Sequence, residues 1–268
     1  MNEVSKRESN IELLRIVCML LIIAHHCVVH GGALALEGTI NKYIALFFLP
    51  GGKICFVAFV VISTWFLVDK KFKWEHFVKT WFQVLFYSVT FTAFACALGV
   101  HVTGRQWISV FFPVAGNVHG FAATYLAFYL LIPFLTIVAN NVDEYSLKKL
   151  VGLLIYYEVI SKILGIIFNY HSSLLSSELT LFVMIYFISL YIKRYKSELF
   201  QNKSCLLKCL IVIWLGVVTI WYLNMFFSDR LWCQILTGLA QDETSLLYII
   251  SGYILFFYLK ISVFHNLV

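Results

Sequence analysis

The stretch that decides the fold reads IELLRIVCMLLIIAHHCVVH and covers residues 11–30. It is apolar apart from Glu12, Arg15 and three histidines near its end. An α-helix rises ~1.5 Å per residue, so about 20 residues of this kind cross the hydrocarbon core of a bilayer. The stretch therefore predicts a transmembrane helix that carries ionisable groups towards both ends.

The composition of the whole chain agrees with this interpretation. Of its 268 residues, 61% are hydrophobic and 13% are charged, whereas soluble domains have roughly 45–50% apolar and ~25% charged residues. These values exclude a soluble or disordered protein, and the continuous apolar runs are unlike the short alternating strands of a β-barrel. We predict an all-α, polytopic transmembrane helical bundle that forms one domain over residues 1–268. Its eight spans are expected at residues 11–30, 47–67, 80–98, 120–139, 149–168, 174–192, 206–227 and 245–264.

The basic residues fall mostly on one side of the predicted membrane. If the N-terminus is inside, 14 of the 20 Lys and Arg residues lie in inner segments and three lie in outer segments. Such a bias is typical of cytoplasmic loops, so both termini are predicted to be cytoplasmic. The net charge of +6 is then explained by inner loops that contact anionic lipid, and no nucleic-acid partner is expected.

The first span places its ionisable residues on one helix face. Arg15 and His26 are eleven residues apart, which returns an α-helix almost to the same face after roughly 16 Å. Glu12 lies one turn before Arg15 and can form an ion pair with it. A guanidinium can bind a phosphate-bearing donor, and a neutral imidazole can take a proton from a hydroxyl group. Alternatively, Glu12 and Arg15 anchor the helix at the interface and His25 and His26 cap its outer end.

Other polar residues within the spans have two interpretations each. Glu158 and Lys162 are four residues apart in the fifth span and form either a structural pair or part of a site. Ser63 in the second span either packs helices together or lines a cavity. Glu178, near the outer end of the sixth span, is expected at the membrane interface.

The loop after the second span is basic because it contains Lys70, Lys71 and Lys73. Its charge either reflects membrane topology alone or provides a binding patch for an anionic donor. The seven cysteines show no spacing typical of a metal site, since Cys205 and Cys209 lie four apart with no further ligand nearby in the sequence. No metal is therefore predicted.

Three stretches, in order, resemble acyltransferase family 3, whose members O-acetylate surface polysaccharides and related acceptors in bacterial membranes. The first runs from residue 7 to the histidine pair, where Glu12, Arg15 and His26 match the family's spacing, so that His26 is preferred over His25. The second is FVVISTWFL at 59–67, similar to the family's FFVISGYFL. The third is ATYLAFYLLIPFL at 123–135, similar to its YLxLYLLxPFL span.

The resemblance implies an activity and a role for each candidate residue. The expected reaction moves an acetyl or other acyl group from acetyl-CoA, a co-substrate rather than a bound cofactor, to a hydroxyl of a carbohydrate acceptor. The lipid bilayer, here the bacterial cytoplasmic membrane, is the third partner. His26 would be the general base, and Glu12 would orient Arg15. Donor binding is assigned to Arg15, Lys70, Lys71 and Lys73, and possible lining of the site to Ser63, Tyr125, Glu158 and Lys162.

The chain departs from the family pattern in two respects. Many members carry a pair of Arg residues after the second span, where this chain has only lysines, which lack the bidentate guanidinium fork. Members usually have about ten spans, so the eight predicted here imply that the last two are lacking, either in a shorter lineage or in a truncated product. Two alternatives to an active enzyme are a transporter or flippase of a glycan or lipid-linked sugar, and an inactive truncated member.

Overall fold

The fold is known from a computed structural model that describes residues 9–35, 39–112, 120–160, 164–165, 167–168, 177–241 and 244–261. This part of the chain contains helices and no strand, which confirms the all-α prediction. A 3₁₀ turn at Ala33–Ala35 follows the first helix, and a π-helical turn at Tyr156–Ile160 follows the sixth. The helices are α1 (Ser9–His30), α2 (Ile40–Leu67), α3 (Trp74–Ala97), α4 (Gly104–Phe111), α5 (Gly120–Asn141), α6 (Glu144–Ile155), α7 (Glu178–Tyr195), α8 (Lys203–Phe227), α9 (Leu231–Gln241) and α10 (Leu246–Ile261).

Six segments of the described chain are long and apolar enough to cross a membrane: α1, α2, α3, α5, α8 and the stretch Leu231–Ile261. The predicted sixth span corresponds to α7, whose 18 residues include three charged side chains. The predicted fifth span begins within α6 and continues into the π-helical turn. The chain is therefore a helical membrane protein, whereas the count of eight spans stays a prediction.

Helix α2 lies at the centre of the bundle, where it packs against α1, α7, α8 and α10. Most of its 28 residues are apolar and 16 are buried, and none is exposed between Leu49 and the end of the helix at Leu67. The close approach of α2 to α1 and to α10 depends on glycine. A Cβ on Gly52 would lie 2.3 Å from the Cβ of His25 in α1. A Cβ on Gly252 of α10 would lie 2.5 Å from the side chain of Val57 in α2. These glycines let the helix backbones come closer than side chains permit.

A buried polar network joins α2, α7 and α10 where the bundle is otherwise apolar. The Ser189 hydroxyl lies 3.2 Å from that of Thr64 and 2.8 Å from that of Tyr253. Tyr253 also donates to the carbonyl oxygen of Ile185 at 2.9 Å. Because an unpaired polar group is costly away from water, this network favours one packing of the three helices. Thr64, which aligns with the glycine of the similar segment FFVISGYFL, contributes its hydroxyl to the network.

Charged residues gather at one end of the bundle. Lys193 at the end of α7 forms an ion pair with Asp69 and donates to the carbonyl oxygen of Trp65 at 3.0 Å. Lys260 at the end of α10 lies 4.3 Å from the centroid of the Trp65 ring. Arg194 donates to the carbonyl oxygen of Ala139 at 2.7 Å. The ends of four helices therefore meet at this charged end of the bundle.

Helix α6 starts at this same charged end with a side-chain cap. The Asp143 carboxylate accepts hydrogen bonds from the backbone N–H groups of Tyr145 and Ser146 at 3.2 and 3.4 Å. A hydrogen bond from the Ser146 side chain is the main reason that the pKa of Asp143 is below its usual value, and the backbone N–H groups add to the effect, because hydrogen bonds to a carboxylate stabilise its charged form. The cap fixes where the chain leaves α5 and re-enters helical structure.

Candidate functional site

The ion pair predicted in the first span is present. Nη1 of Arg15 lies 2.6 Å from Oε1 of Glu12, one turn earlier on α1. Both side chains are about 40% exposed, with relative accessibilities of 42% and 41%. The pair is therefore reachable from outside the bundle, and Glu12 restricts the positions that the guanidinium can take.

The opposite half of α1 faces a cavity of about 490 Å³. Small-molecule sites usually have volumes of roughly 300–1,000 Å³, so this cavity is large enough for a ligand. Ionisable side chains from three helices line it: His25 and His26 from α1, Lys53 from α2 and Glu178 from α7. The remaining walls are formed mainly by apolar side chains and by two glycines, namely Met19, Ile22, Phe56, Phe59, Phe121, Gly52 and Gly120.

The two adjacent histidines have different environments. His25 is half-buried, and its Nδ1 lies 2.7 Å from the carbonyl oxygen of Leu49. A carbonyl oxygen only accepts, so Nδ1 carries a proton and His25 is held against α2. His26 is exposed at the mouth of the cavity, and its ring stacks on His30 with centroids 5.5 Å apart. His25 is thus a packing residue, whereas His26 is accessible to a substrate.

Glu178 is held on the cavity wall by a neighbouring helix. The Thr124 hydroxyl of α5 donates to its Oε2 at 2.8 Å. The first residue of α5, Gly120, lies beside the same carboxylate, since a Cβ there would be 3.6 Å from Oε1. Glu178 occupies the first turn of α7, where the helix dipole favours negative charge. Its carboxylate is therefore oriented by Thr124 while it lines the cavity, and its position at the membrane interface stays a prediction.

A cluster of polar groups lies on the side of Arg15. Arg15 is within electrostatic range of the Tyr125 hydroxyl, which is 3.3 Å from Nε2 of His76 in α3. The backbone N–H of Lys73 donates to the Tyr129 hydroxyl at 3.1 Å. The side chains of Lys70, Lys71 and Lys73 are exposed in the segment between α2 and α3. Tyr125 and Tyr129 therefore connect α5 to the start of α3, next to the predicted donor-binding lysines.

Of the other predicted lining residues, two lie in the described part of the chain and do not line the cavity. The Ser63 hydroxyl donates to the carbonyl oxygen of Phe59 at 2.9 Å, within its own helix, and Ser63 is not part of the cavity wall. Glu158 is buried in the π-helical turn after α6 and is not among the residues that line the cavity. Lys162 lies outside the described residues, so its pairing with Glu158 stays a prediction.

Four residues of the cavity and of the polar cluster near Arg15 were not predicted from the sequence. Lys53 and Glu178 line the cavity, and their signal was an ionisable side chain inside or beside an apolar run. His76 and Tyr129 join the cluster near Arg15 through Tyr125 and Lys73. No spacing rule connects residues on different helices, so these contacts required the tertiary structure. In the described part of the chain, no three His, Cys, Asp or Glu side chains form a group that could hold a metal ion.

The fold and these two groups define an integral membrane protein with accessible ionisable side chains at both ends of its first helix. The family model for the acyltransferase domain of acyltransferase family 3 matches residues 8–266. The chain therefore belongs to this family, as its motifs had predicted. No curated protein and no solved structure matches the chain.

Proposed function

We propose that the protein transfers an acetyl group from acetyl-CoA to a hydroxyl of a surface polysaccharide or related glycan in the bacterial cytoplasmic membrane. Membership of an acyltransferase family supports acyl transfer. The observation that carries the finer proposal is the arrangement on α1, where an accessible Arg15 and a cavity-lining His26 lie at opposite ends of one helix. Such a helix can bind a donor from one side of the membrane and an acceptor from the other.

We place both termini in the cytoplasm, so that the Arg15 end of α1 faces the donor pool. The lysine-rich segment after α2 and the charged ends of α7 and α10 lie at that same end, in agreement with the positive-inside rule. In this orientation the cavity opens towards the outer half of the membrane, where surface glycans are found.

The donor site consists of Arg15 together with the lysines of the α2–α3 segment. A guanidinium binds phosphate oxygens through two parallel hydrogen bonds, and a lysine binds them as a point charge. Glu12 accepts one hydrogen bond from Arg15, which orients the guanidinium and leaves its other N–H groups for the phosphates of CoA. The thioester end of the donor then extends along α1 towards His26.

The transfer step uses His26 as the general base. Its imidazole removes the proton from the acceptor hydroxyl while the hydroxyl oxygen attacks the thioester carbonyl carbon. The tetrahedral intermediate collapses with cleavage of the carbon–sulfur bond, and the imidazolium returns the proton to the leaving thiolate of CoA. Proton transfer by a positioned side chain typically contributes ~10²–10⁴-fold.

The test is transfer of labelled acetyl from acetyl-CoA into glycans in membranes that contain the wild-type chain, His26→Ala or His25→Ala. We expect transfer by the wild type, loss of about 10²-fold or more in His26→Ala, and substantial transfer by His25→Ala per mole of folded protein. His25 serves as the matched control because it is the adjacent imidazole and also lines the cavity.

Two results would contradict the proposal. Equal, small losses in both variants would remove His26 as the base. Absence of label with a stably inserted wild-type chain would favour movement of a glycan or lipid-linked sugar, because a transporter consumes no acetyl-CoA.

A further inference from the structure

The cavity beside His26 contains one side chain of each charge. Lys53 contributes a positive charge from α2 and Glu178 contributes a negative charge from α7, and histidines are counted as neutral in the formal charge. The formal charge of the cavity is therefore zero. A ligand with a net charge would give the occupied cavity a net charge. An uncompensated charge in a largely apolar cavity is unfavourable.

The apolar wall contains three neighbouring phenylalanine rings. Phe121 makes edge contacts with Phe56 and Phe59, with ring centroids 5.2 and 6.1 Å apart. All three rings line the cavity. The C–H face of a pyranose ring carries slight positive charge and packs on the negative face of an aromatic ring.

The polar wall offers a fixed acceptor of hydrogen bonds. An ionised carboxylate accepts several hydrogen bonds, and Thr124 occupies one position on Oε2 of Glu178. Oε1 and the remaining lone pair of Oε2 can accept from neighbouring hydroxyl groups of a sugar. The hydrogen bond from Thr124 fixes the direction of the carboxylate before a ligand enters.

We propose that the cavity binds a neutral sugar unit, with its hydroxyl groups on Glu178 and its apolar face on the phenylalanine wall. The balance of Lys53 and Glu178 selects a neutral unit over an anionic or cationic one. This inference rests on the proposed acyl transfer for the identification of the cavity as the acceptor site. It goes further by naming the charge class of the acceptor and the two residues that set it.

The experiment measures binding without catalysis. Saturation-transfer NMR is recorded on the protein in lipid nanodiscs, which avoids competition from glycoside detergents, with three probes: methyl glucoside, glucuronic acid and glucosamine. We expect the wild type to bind methyl glucoside with a dissociation constant at least about tenfold below those of the two charged probes.

Two variants each remove one of the two cavity charges, so the test does not depend on the stability of either variant alone. Glu178→Gln leaves the cavity with a positive charge, so methyl glucoside binding should weaken about tenfold or more and preference should move to glucuronic acid. Lys53→Met leaves a negative charge, so preference should move to glucosamine. Glu144→Gln is the matched control because Glu144 occupies the first turn of α6 at the charged end of the bundle and is exposed.

The outcomes separate this inference from the proposed function. Equal binding of the three probes by the wild type, or unchanged preference in both cavity variants, would overturn the inference even if labelled acetyl is transferred. The expected shifts in preference would support a neutral sugar site, and the absence of acetyl transfer in that case would refute acyl transfer alone.

Discussion

The substitution Gly52→Ala tests whether the close approach of α1 and α2 positions the cavity. A Cβ on Gly52 would lie 2.3 Å from Cβ and 2.4 Å from Cγ of His25, whereas non-bonded carbon atoms prefer about 3.5–4.0 Å. His25 or the whole of α1 would therefore have to move by about 1 Å or more. Such a movement would stretch the 2.7 Å hydrogen bond between His25 and the carbonyl oxygen of Leu49.

The magnitude of the effect follows from three contributions. Overpacking of this kind typically costs about 1–3 kcal/mol, and loss of the His25 hydrogen bond costs about 0.5–1.5 kcal/mol. Alanine offsets about 1 kcal/mol because it is a better helix former than glycine. The net destabilisation is thus about 2 kcal/mol, which corresponds to a decrease in Tm of roughly 4–8 °C for a chain of this size.

The assay compares thermal unfolding, followed by tryptophan fluorescence in nanodiscs, with acetyl transfer below the Tm. The matched control is Gly216→Ala in α8, where a Cβ would have no heavy atom within 4 Å, so its Tm should stay equal or rise. The variant Gly52→Ala should lose both stability and transfer. Equal Tm values for the two alanine variants would refute the argument that glycine is needed for the contact between α1 and α2.

Two further predictions concern the donor site and the buried network. Arg15→Ala should raise the KM for acetyl-CoA about tenfold or more, since a hydrogen bond to a charged group contributes about 1.5–3 kcal/mol, with a smaller decrease in kcat. The control is Arg105→Ala, at an exposed position of α4. If initial rates give both variants the wild-type KM for acetyl-CoA, donor binding by Arg15 is contradicted. Tyr253→Phe should cost about 1–3 kcal/mol of stability because it leaves buried partners without their hydrogen bond. Tyr145→Phe, at an exposed tyrosine, should unfold at the wild-type temperature, and an equal Tm for the two variants would show that the buried hydroxyl contributes nothing.

Much of the fold followed from one-dimensional patterns. The apolar runs around residues 11–30 and 47–67 predicted helices that the structure contains, although α2 begins earlier, at Ile40. Because of the early start, Pro50 lies in the interior of the helix and not in its first turn, although proline in a helix interior ordinarily breaks or kinks the helix. Packing of α2 against its neighbours compensates for the lost backbone hydrogen bond, and a local pattern contains no information about such neighbours.

The candidate site was predictable only where its residues share a helix. The spacing of Glu12 and Arg15 predicted their ion pair, because residues three apart are neighbours on an α-helix, and the distance of 2.6 Å confirms it. Ser63 was ambiguous because it could pack helices together or line a cavity, and Glu178 was expected only at the membrane interface. The structure gives Ser63 a partner within its own helix and places Glu178 on the cavity wall.

The sequence by itself determined the class of protein, the family, and the residues of α1 that carry charge, because apolar length and helical spacing are properties of a continuous segment. Only the tertiary structure decided which helices meet: it brought Lys53 and Glu178 to the cavity of His26, and it held His25 against α2. These contacts join residues far apart in the chain, and they depend on shape complementarity between helices, such as the space above Gly52. Hydropathy does not encode that shape, since lipid-facing and helix-facing positions are equally apolar in a membrane protein.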